Sequence, residues 1–280
     1  MEQERRLRSQ GLTGQLNRLL PTAWLKVSVV LHAAAIAAVV ANWRLWPWSL
    51  LLLGANHVVL ALGGLLPRSR LLGPNWTRLP DGTAAVALTI DDGPDPDVTP
   101  AVLDLLARHQ VRATFFCIGD RVVQHPELAR RIAREGHEIG NHSEHHRYAF
   151  SLFGPAAMRR EIALAQASIQ AVCQAVPRFF RAPAGLRNPF LQPCLTDLGL
   201  QLASWTRRGY DTVNTDTEVV LERLTRNLRA GDILLLHDGR AARAPDGTPV
   251  ILAVLPRLLP TLARQSLRCV TLSEGLPAGP

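Results

Sequence analysis

Residues 84–94, AAVALTIDDGP, constrain this chain more than any other stretch. The run up to Ile90 is apolar or small, with β-branched Val86, Thr89 and Ile90, and reads as a buried strand. It ends in two adjacent carboxylates, Asp91 and Asp92, and Gly93-Pro94 then forces a turn. Successive side chains leaving a strand point to opposite sides, so one Asp can hold a metal while its neighbour handles a proton. A lone Asp-Asp-Gly-Pro would be an ordinary solvated turn. What stands at the ends of the later strands argues otherwise.

From residue 84 onward, strand-like and helix-like patterns alternate. Strands are expected at 84–90, 112–118, 137–140, 178–181, 200–205, 232–236 and 267–272. Helical periods lie between them at 98–109, 122–135, 155–175, 188–198, 215–229 and 249–264. Thr99-Pro100 opens the first of these as a cap followed by a proline. Alternation of this kind gives parallel strands in an α/β fold, open or closed into a barrel. Catalytic groups of such folds collect at the carboxyl ends of the strands. The polar outliers fall there: Asp91 and Asp92, then His142, Arg181, Asp211 and His237.

The first eighty residues are different. Residues 1–22 are polar and basic, and two apolar runs follow, Trp24 to Asn42 and Trp48 to Leu66. Each has about the 20 residues a bilayer requires, with Trp24, Trp43, Trp46 and Trp48 at the run ends. Two transmembrane helices over 23–66 are expected. The rivals are a signal peptide, which the long basic start and the second run oppose, and a buried soluble hairpin. Arg5, Arg6, Arg8, Arg18 and Lys26 lie on the N-terminal side of the first run, Lys26 just inside its edge, and only Arg44 separates the two. That bias puts the N-terminus in the cytoplasm and returns the chain to the same face of a bacterial-type inner membrane. Residues 67–83, rich in Pro, Gly and Arg, read as a linker, and 273–280 as a flexible tail.

The net charge of +8 is lopsided. Residues 1–80 carry nine Lys/Arg against two Asp/Glu, whereas 81–280 carry twenty-two against twenty-one. The basic excess therefore belongs to the N-terminal part, and no nucleic-acid motif accompanies it. Four widely spaced cysteines form no C-x-x-C pair and suit buried thiols. Nothing in the sequence sets the oligomeric state.

After Gly140-Asn141 comes His142-Ser143-Glu144-His145-His146. Offsets of three and four both fall on one face of a helical turn, so spacing pairs His142 with His145 or with His146. Two histidines and a carboxylate leave positions open for water and substrate, the pattern of a catalytic metal. His109, His125 and His137 have no partner at useful spacing, and His32 and His57 read as helix–helix contacts. Ser143 and Ser204 stand outside any G-x-S-x-G.

Residues 84–272 resemble the polysaccharide deacetylases with a NodB-homology domain, carbohydrate esterase family 4. The motifs are Thr89-Ile90-Asp91-Asp92-Gly93-Pro94, His142 to His146, Arg181-Ala182-Pro183-Ala184-Gly185 and Ile233-Leu234-Leu235-Leu236-His237. The resemblance implies a distorted (β/α) barrel of about seven parallel strands. It implies Asp91 as general base, with Asp92, His142 and His146 as ligands of a divalent metal, Zn²⁺ first, with Co²⁺, Ni²⁺ or Mn²⁺ as alternatives. Arg181 would orient Asp91, Asp211 would orient His237, and His237 would be the general acid. Pro183, Ala184, Gly185 and Trp205 would line the substrate site, with the Ala184 N–H on the oxyanion. The implied reaction removes acetyl groups from an amino-sugar glycan or a lipid-linked amino sugar; an O-acetyl esterase and an inactive glycan binder are the alternatives. Two positions depart from the family pattern: Thr212 stands where a Trp is common, and Ala184 where an aromatic is frequent. Both changes open the groove and disfavour a long glycan.

Overall fold

The structure, a computed structural model, describes residues 20–276. Residues 1–19 of the basic segment 1–22 and residues 277–280 of the expected tail lie outside the described residues; 273–276 are not a loose tail but belong to a capped helical turn that ends on buried Leu276. Helices α1 (Ala23–Ala41) and α2 (Trp46–Leu65) form a hairpin joined by a short 3₁₀ turn at Trp43–Leu45. Their contact face carries the few polar groups: Asn56 Nδ2 donates to Ser28 Oγ at 2.8 Å. The His32 and His57 rings meet edge to face with centroids 5.2 Å apart. The remaining surface is apolar and exposed, including Val30, Ile36, Val40, Leu51 and Leu65. A hairpin belonging to a soluble core would bury those side chains, which counts against that rival reading. Both helices are long and apolar enough to cross a membrane, and the first also lies where a signal sequence would.

Residues 67–83, expected as a linker, are woven into the domain. The Trp76 N–H donates to Leu202 O at 2.9 Å, and its indole Nε1 donates to Gln201 Oε1 at 2.7 Å. Arg78 pairs with buried Asp232 at 2.6 Å. Leu72, Asn75 and Leu79 are buried. A composition rich in Pro and Gly excluded regular structure there but not tertiary packing.

The domain is a half-barrel of parallel strands. In chain order these are β1 (Ala85–Asp91), β2 (Thr114–Cys117), β3 (Glu138–Asn141), β4 (Phe179–Phe180), β5 (Gln201–Leu202), β6 (Arg207–Arg208) and β7 (Ile233–His237). Their spatial order is β5-β4-β3-β2-β1-β7-β6, and a further strand β8 (Arg268–Val270) pairs with the start of β1. Helices α3 (Thr99–Arg108), α4 (Gly119–Gln124), α5 (Pro126–Arg134), α6 (Pro155–Cys173), α7 (Leu191–Asp197), α8 (Thr217–Thr225), α9 (Val250–Arg264) and the short α10 (Leu272–Gly275) connect them.

Three local expectations are corrected. The helix read as 122–135 is two helices, because Pro126 has no N–H and drives His125 out of the helical region, to φ −126° and ψ 60°. Strand β6 is added; two arginines carry no apolar alternation to reveal it. Thr99 is the first helical residue of α3 and not its cap, which is Val98.

The strand period of two decides what faces the barrel interior. On β1, Val86, Leu88 and Ile90 join the large core under the helices, while Ala85 and Ala87 join the inner cluster. Thr89 and Asp91 continue that inner face. On β7, Leu234 and Leu236 point outward, and Ile233 and Leu235 inward, which leaves His237 inward at the carboxyl end. Asp91 and His237 are register partners across the β1–β7 pair. Two groups 146 positions apart in the sequence thus meet because each ends an inward-facing row.

Candidate metal centre and active site

Asp91 closes β1, but Asp92 does not continue the strand. Its backbone is left-handed (φ 74°), which swings the side chain back into the cleft that Asp91 faces. The expectation from strand alternation, opposite sides for the two carboxylates, is therefore wrong. His142 Nε2 lies 3.3 Å from Asp92 Oδ1 and 3.7 Å from Asp91 Oδ2.

The histidine pair is also built differently from the expectation. Residues 142–147 form a loop, not a helical turn. Ser143 and His146 are left-handed, at φ 64° and 48°. Asn141 Oδ1 accepts from the Ser143 N–H, and Ser143 Oγ accepts from the His146 N–H. This knot brings the His142 and His146 rings to 4.7 Å. His146 Nε2 is 3.1 Å from Asp92 Oδ1, whereas His145, 42 % exposed at its side chain, turns away to Glu161 at 3.0 Å.

The donor set suits a metal cation. Asp92 Oδ1 is buried with no hydrogen-bond partner, and ligand atoms of Asp92, His142 and His146 lie within 4.8 Å of one another. An orphaned buried carboxylate oxygen facing two imidazole nitrogens is costly without a cation between them. His142 Nδ1 contacts Arg181 O at 2.8 Å, which places the proton on Nδ1 and leaves Nε2 a lone pair. Burial holds His146 down at about 4, so it stays neutral at physiological pH. Burial works to raise the Asp92 carboxyl, but the surrounding imidazoles of His142, His146 and His237 hold it below the ordinary carboxylate range. The Arg240 guanidinium Nη1 lies 3.2 Å from His146 Nδ1. A guanidinium only donates, so this contact and a proton on Nδ1 exclude each other.

Around that set stand the other strand-end groups. Arg181, 1 % exposed, donates from Nη1 to Asp91 Oδ1 at 2.7 Å and to Thr89 Oγ1 at 2.8 Å. Its Nη2 donates to Ser204 O, and its guanidinium lies over the Phe116 ring at 4.1 Å. Every face of this buried cation is occupied, so its direction, and with it that of Asp91, is fixed. Asp211 is wholly buried and grips His237 twice: Oδ1 at 2.9 Å from Nδ1, and Oδ2 accepting the His237 backbone N–H at 2.7 Å. Burial alone would lower His237; the carboxylates of Asp211, Asp91 and Asp92 outweigh it and hold the imidazole above its usual value. The Pro183–Gly185 turn, with Ala184 at φ 54°, forms one wall. Ala184, Gly185 and Trp205 line a cleft of about 310 Å³ together with Asp91, Asp92, His142, His146 and His237. Pro183 is buried behind it.

Sequence reasoning missed Asp238. It accepts from Thr99 Oγ1 at 2.5 Å and from the Gly239 N–H at 3.0 Å, and burial pushes its carboxyl up to about 7. Its place directly after a strand-end histidine was the available signal.

Residues 79–203 match the polysaccharide deacetylase family model. A peptidoglycan-N-acetylglucosamine deacetylase of Bacillus cereus is 37 % identical over 198 residues, 70 % of this chain and 90 % of that one. The Bc1960 peptidoglycan N-acetylglucosamine deacetylase superposes with a TM-score of 0.67 at 27 % identity, covering 73 % of this chain and 94 % of that one. A family 4 acetyl xylan esterase from Clostridium thermocellum, solved with a cobalt ion, superposes at 0.61 with 34 % identity, over 69 % and 93 %. The chain belongs to the polysaccharide deacetylase family.

Proposed function

We propose that the protein is a metal-dependent N-deacetylase of an acetylated amino sugar, anchored in a membrane by the α1–α2 hairpin. The observation that carries this reading is the pairing, in one cleft, of the Asp92–His142–His146 set with a fixed carboxylate and an imidazole held above its usual pKa. A divalent cation bound by that set, Zn²⁺ or Co²⁺, supplies Lewis-acid activation of water and of the acetyl carbonyl. Asp91, aimed by Arg181, accepts the proton of the attacking water. The backbone N–H of Ala184 is the proposed donor to the oxyanion. His237 donates its proton to the departing amine nitrogen, and Asp211 keeps it charged for that step. Products are acetate and a free amino sugar. A pure glycan binder has no use for a buried acid and base on either side of a ligand set. The same groups would also cleave an O-acetyl ester, as the likeness to an acetyl xylan esterase allows, and a matched pair of N- and O-acetylated sugars separates the two.

The test is acetate release from N-acetylated amino sugars by the detergent-solubilised full chain, abolished by a chelator and restored by Zn²⁺ or Co²⁺. No release from any N-acetylated sugar by the metal-loaded protein would sink the reading. The arginine bias supports a domain on the cytoplasmic side, for which alkaline phosphatase fused to the C-terminus should be inactive in cells.

A pH profile examines the His237 assignment. The acid must be protonated, so kcat falls as pH rises through its raised pKa. Asp211→Asn removes the charge that opposes burial, and the alkaline limb of kcat should move to lower pH. An alkaline limb that stays in place in Asp211→Asn would assign it to another group.

A further inference from the structure

Beside the catalytic cleft runs a second groove of about 740 Å³, and the two share Trp205 and Arg208. It starts at Pro67 and Arg68, the second and third residues beyond the end of α2, and reaches Arg223 and Arg226 at the end of α8. Five arginines line it against one carboxylate, Glu222. Arg207 is already engaged, on Asp232 and on the carbonyls of Arg226 and Asn227. Among the described residues, Arg208, Arg223 and Arg226 have no ion-pair partner, and Arg68 reaches only Thr206 O. Arg208 lies over the rings of Trp205 (5.3 Å) and Tyr210 (4.9 Å), and Arg223 also lies over Tyr210 (5.3 Å). Arg208 Nε is buried with no hydrogen-bond partner.

Like charges gathered without counter-ions repel one another, and aromatic stacking holds two of these in place all the same. Such an arrangement is suited to an anion, and arginine forks match phosphate oxygens.

We propose that this groove holds the phosphate of a lipid-linked, N-acetylated amino sugar, so that the substrate of the cleft is a sugar carried on a membrane lipid phosphate. The proposal rests on the deacetylase reading above and names its substrate class. Two placements support it. In a 2-acetamido sugar 1-phosphate, the amide nitrogen and the phosphate-bearing oxygen sit on adjacent ring carbons, so a site acting on the amide needs a cation within one sugar ring. Arg208 lines both cavities and meets that need. The groove also opens at the foot of the apolar hairpin, at the level where a lipid phosphate would lie. A neutral glycan polymer would leave the arginines unpaired. A nucleotide-linked sugar offers the same phosphate chemistry but has no acyl chain to lay along the hairpin.

The experiment uses the full-length, metal-loaded protein in phosphatidylcholine nanodiscs and one 2-acetamido sugar in three forms: polyprenyl phosphate, nucleotide diphosphate and methyl glycoside. The lipid-linked form should exceed the nucleotide form, which lacks the acyl chain, and should exceed the methyl glycoside in kcat/KM by about 10–100-fold, the scale of one charge-assisted contact to phosphate. Arg223→Gln with Arg226→Gln, both exposed positions, should bring that ratio towards one, and the corresponding Lys pair should restore part of it. Equal use of the methyl glycoside, or preference for the nucleotide form, overturns the proposal. If no form releases acetate, the deacetylase reading fails first. Native mass spectrometry of protein released from nanodiscs doped with polyprenyl phosphate then reads the groove alone. Retention by the wild type and loss in the Gln pair supports it, and equal retention overturns it.

Discussion

An Asp91→Asn protein is expected to keep its metal and to lose about 10²–10⁴-fold in kcat, the usual worth of a general base. Asn retains an oxygen that Arg181 Nη1 can reach, so the 2.7 Å contact has a successor and the buried guanidinium is not abandoned. The loss of stability should therefore stay below the about 3–5 kcal/mol typical of leaving a buried charge with no partner. The amide cannot take up a proton from water, and that step has no second acceptor as well placed. Metal content by atomic spectroscopy, beside kcat, checks the division of labour. A metal-empty Asp91→Asn protein would show that Asp91 is itself a ligand, and the 3.7 Å approach of His142 Nε2 to Asp91 Oδ2 makes that a real contest.

The second large effect separates two adjacent histidines. His146→Ala should purify depleted of metal and inactive, with activity partly recovered in excess Zn²⁺. Loss of one of three protein ligands should cost at least the about 10–100-fold in metal affinity typical of an outer partner. His145→Ala should keep stoichiometric metal and most activity, because its ring is paired with Glu161 and lies outside the cleft. The opposite pattern would mean that the loop places its second ligand one residue earlier.

Much of this site was readable because it is written at strand ends. The row Ala85, Ala87, Thr89, Asp91 and the row Ile233, Leu235, His237 are period-two patterns, and parallel pairing lets their last members meet. Spacing alone left His145 and His146 equivalent. Only the loop conformation separates them, and it depends on left-handed turns at Ser143 and His146 that neither residue type advertises. The direction of Asp92 was misread for the same reason: a residue one step past a strand no longer obeys its alternation. Asn141, wholly buried, donates to Ile162 O and Gln166 Oε1 and so ties the His142–His146 loop to α6; nothing about a Gly-Asn pair announces that. Arg187 was equally silent, since its partners are carbonyls more than a hundred residues earlier.

That arginine has a wider consequence. Its guanidinium donates to the carbonyls of Gly63, Leu66 and Ser69, and its own N–H donates to Gly64 O, so the last turn of α2 is closed by the catalytic domain. Gly64 leaves no room for a side chain there, since a Cβ would sit 2.2 Å from Arg187 O. A Cβ on Gly185, in the cleft wall, would meet Pro67 at 2.8 Å. The mount is stiff where a flexible stalk would have let the domain swing outward. With the hairpin in a bilayer, the cleft would be held at one height above it. A substrate carried in that membrane, as proposed above, would be met by a search in two dimensions, set by how fast molecules drift within the membrane plane and not by diffusion through the bulk.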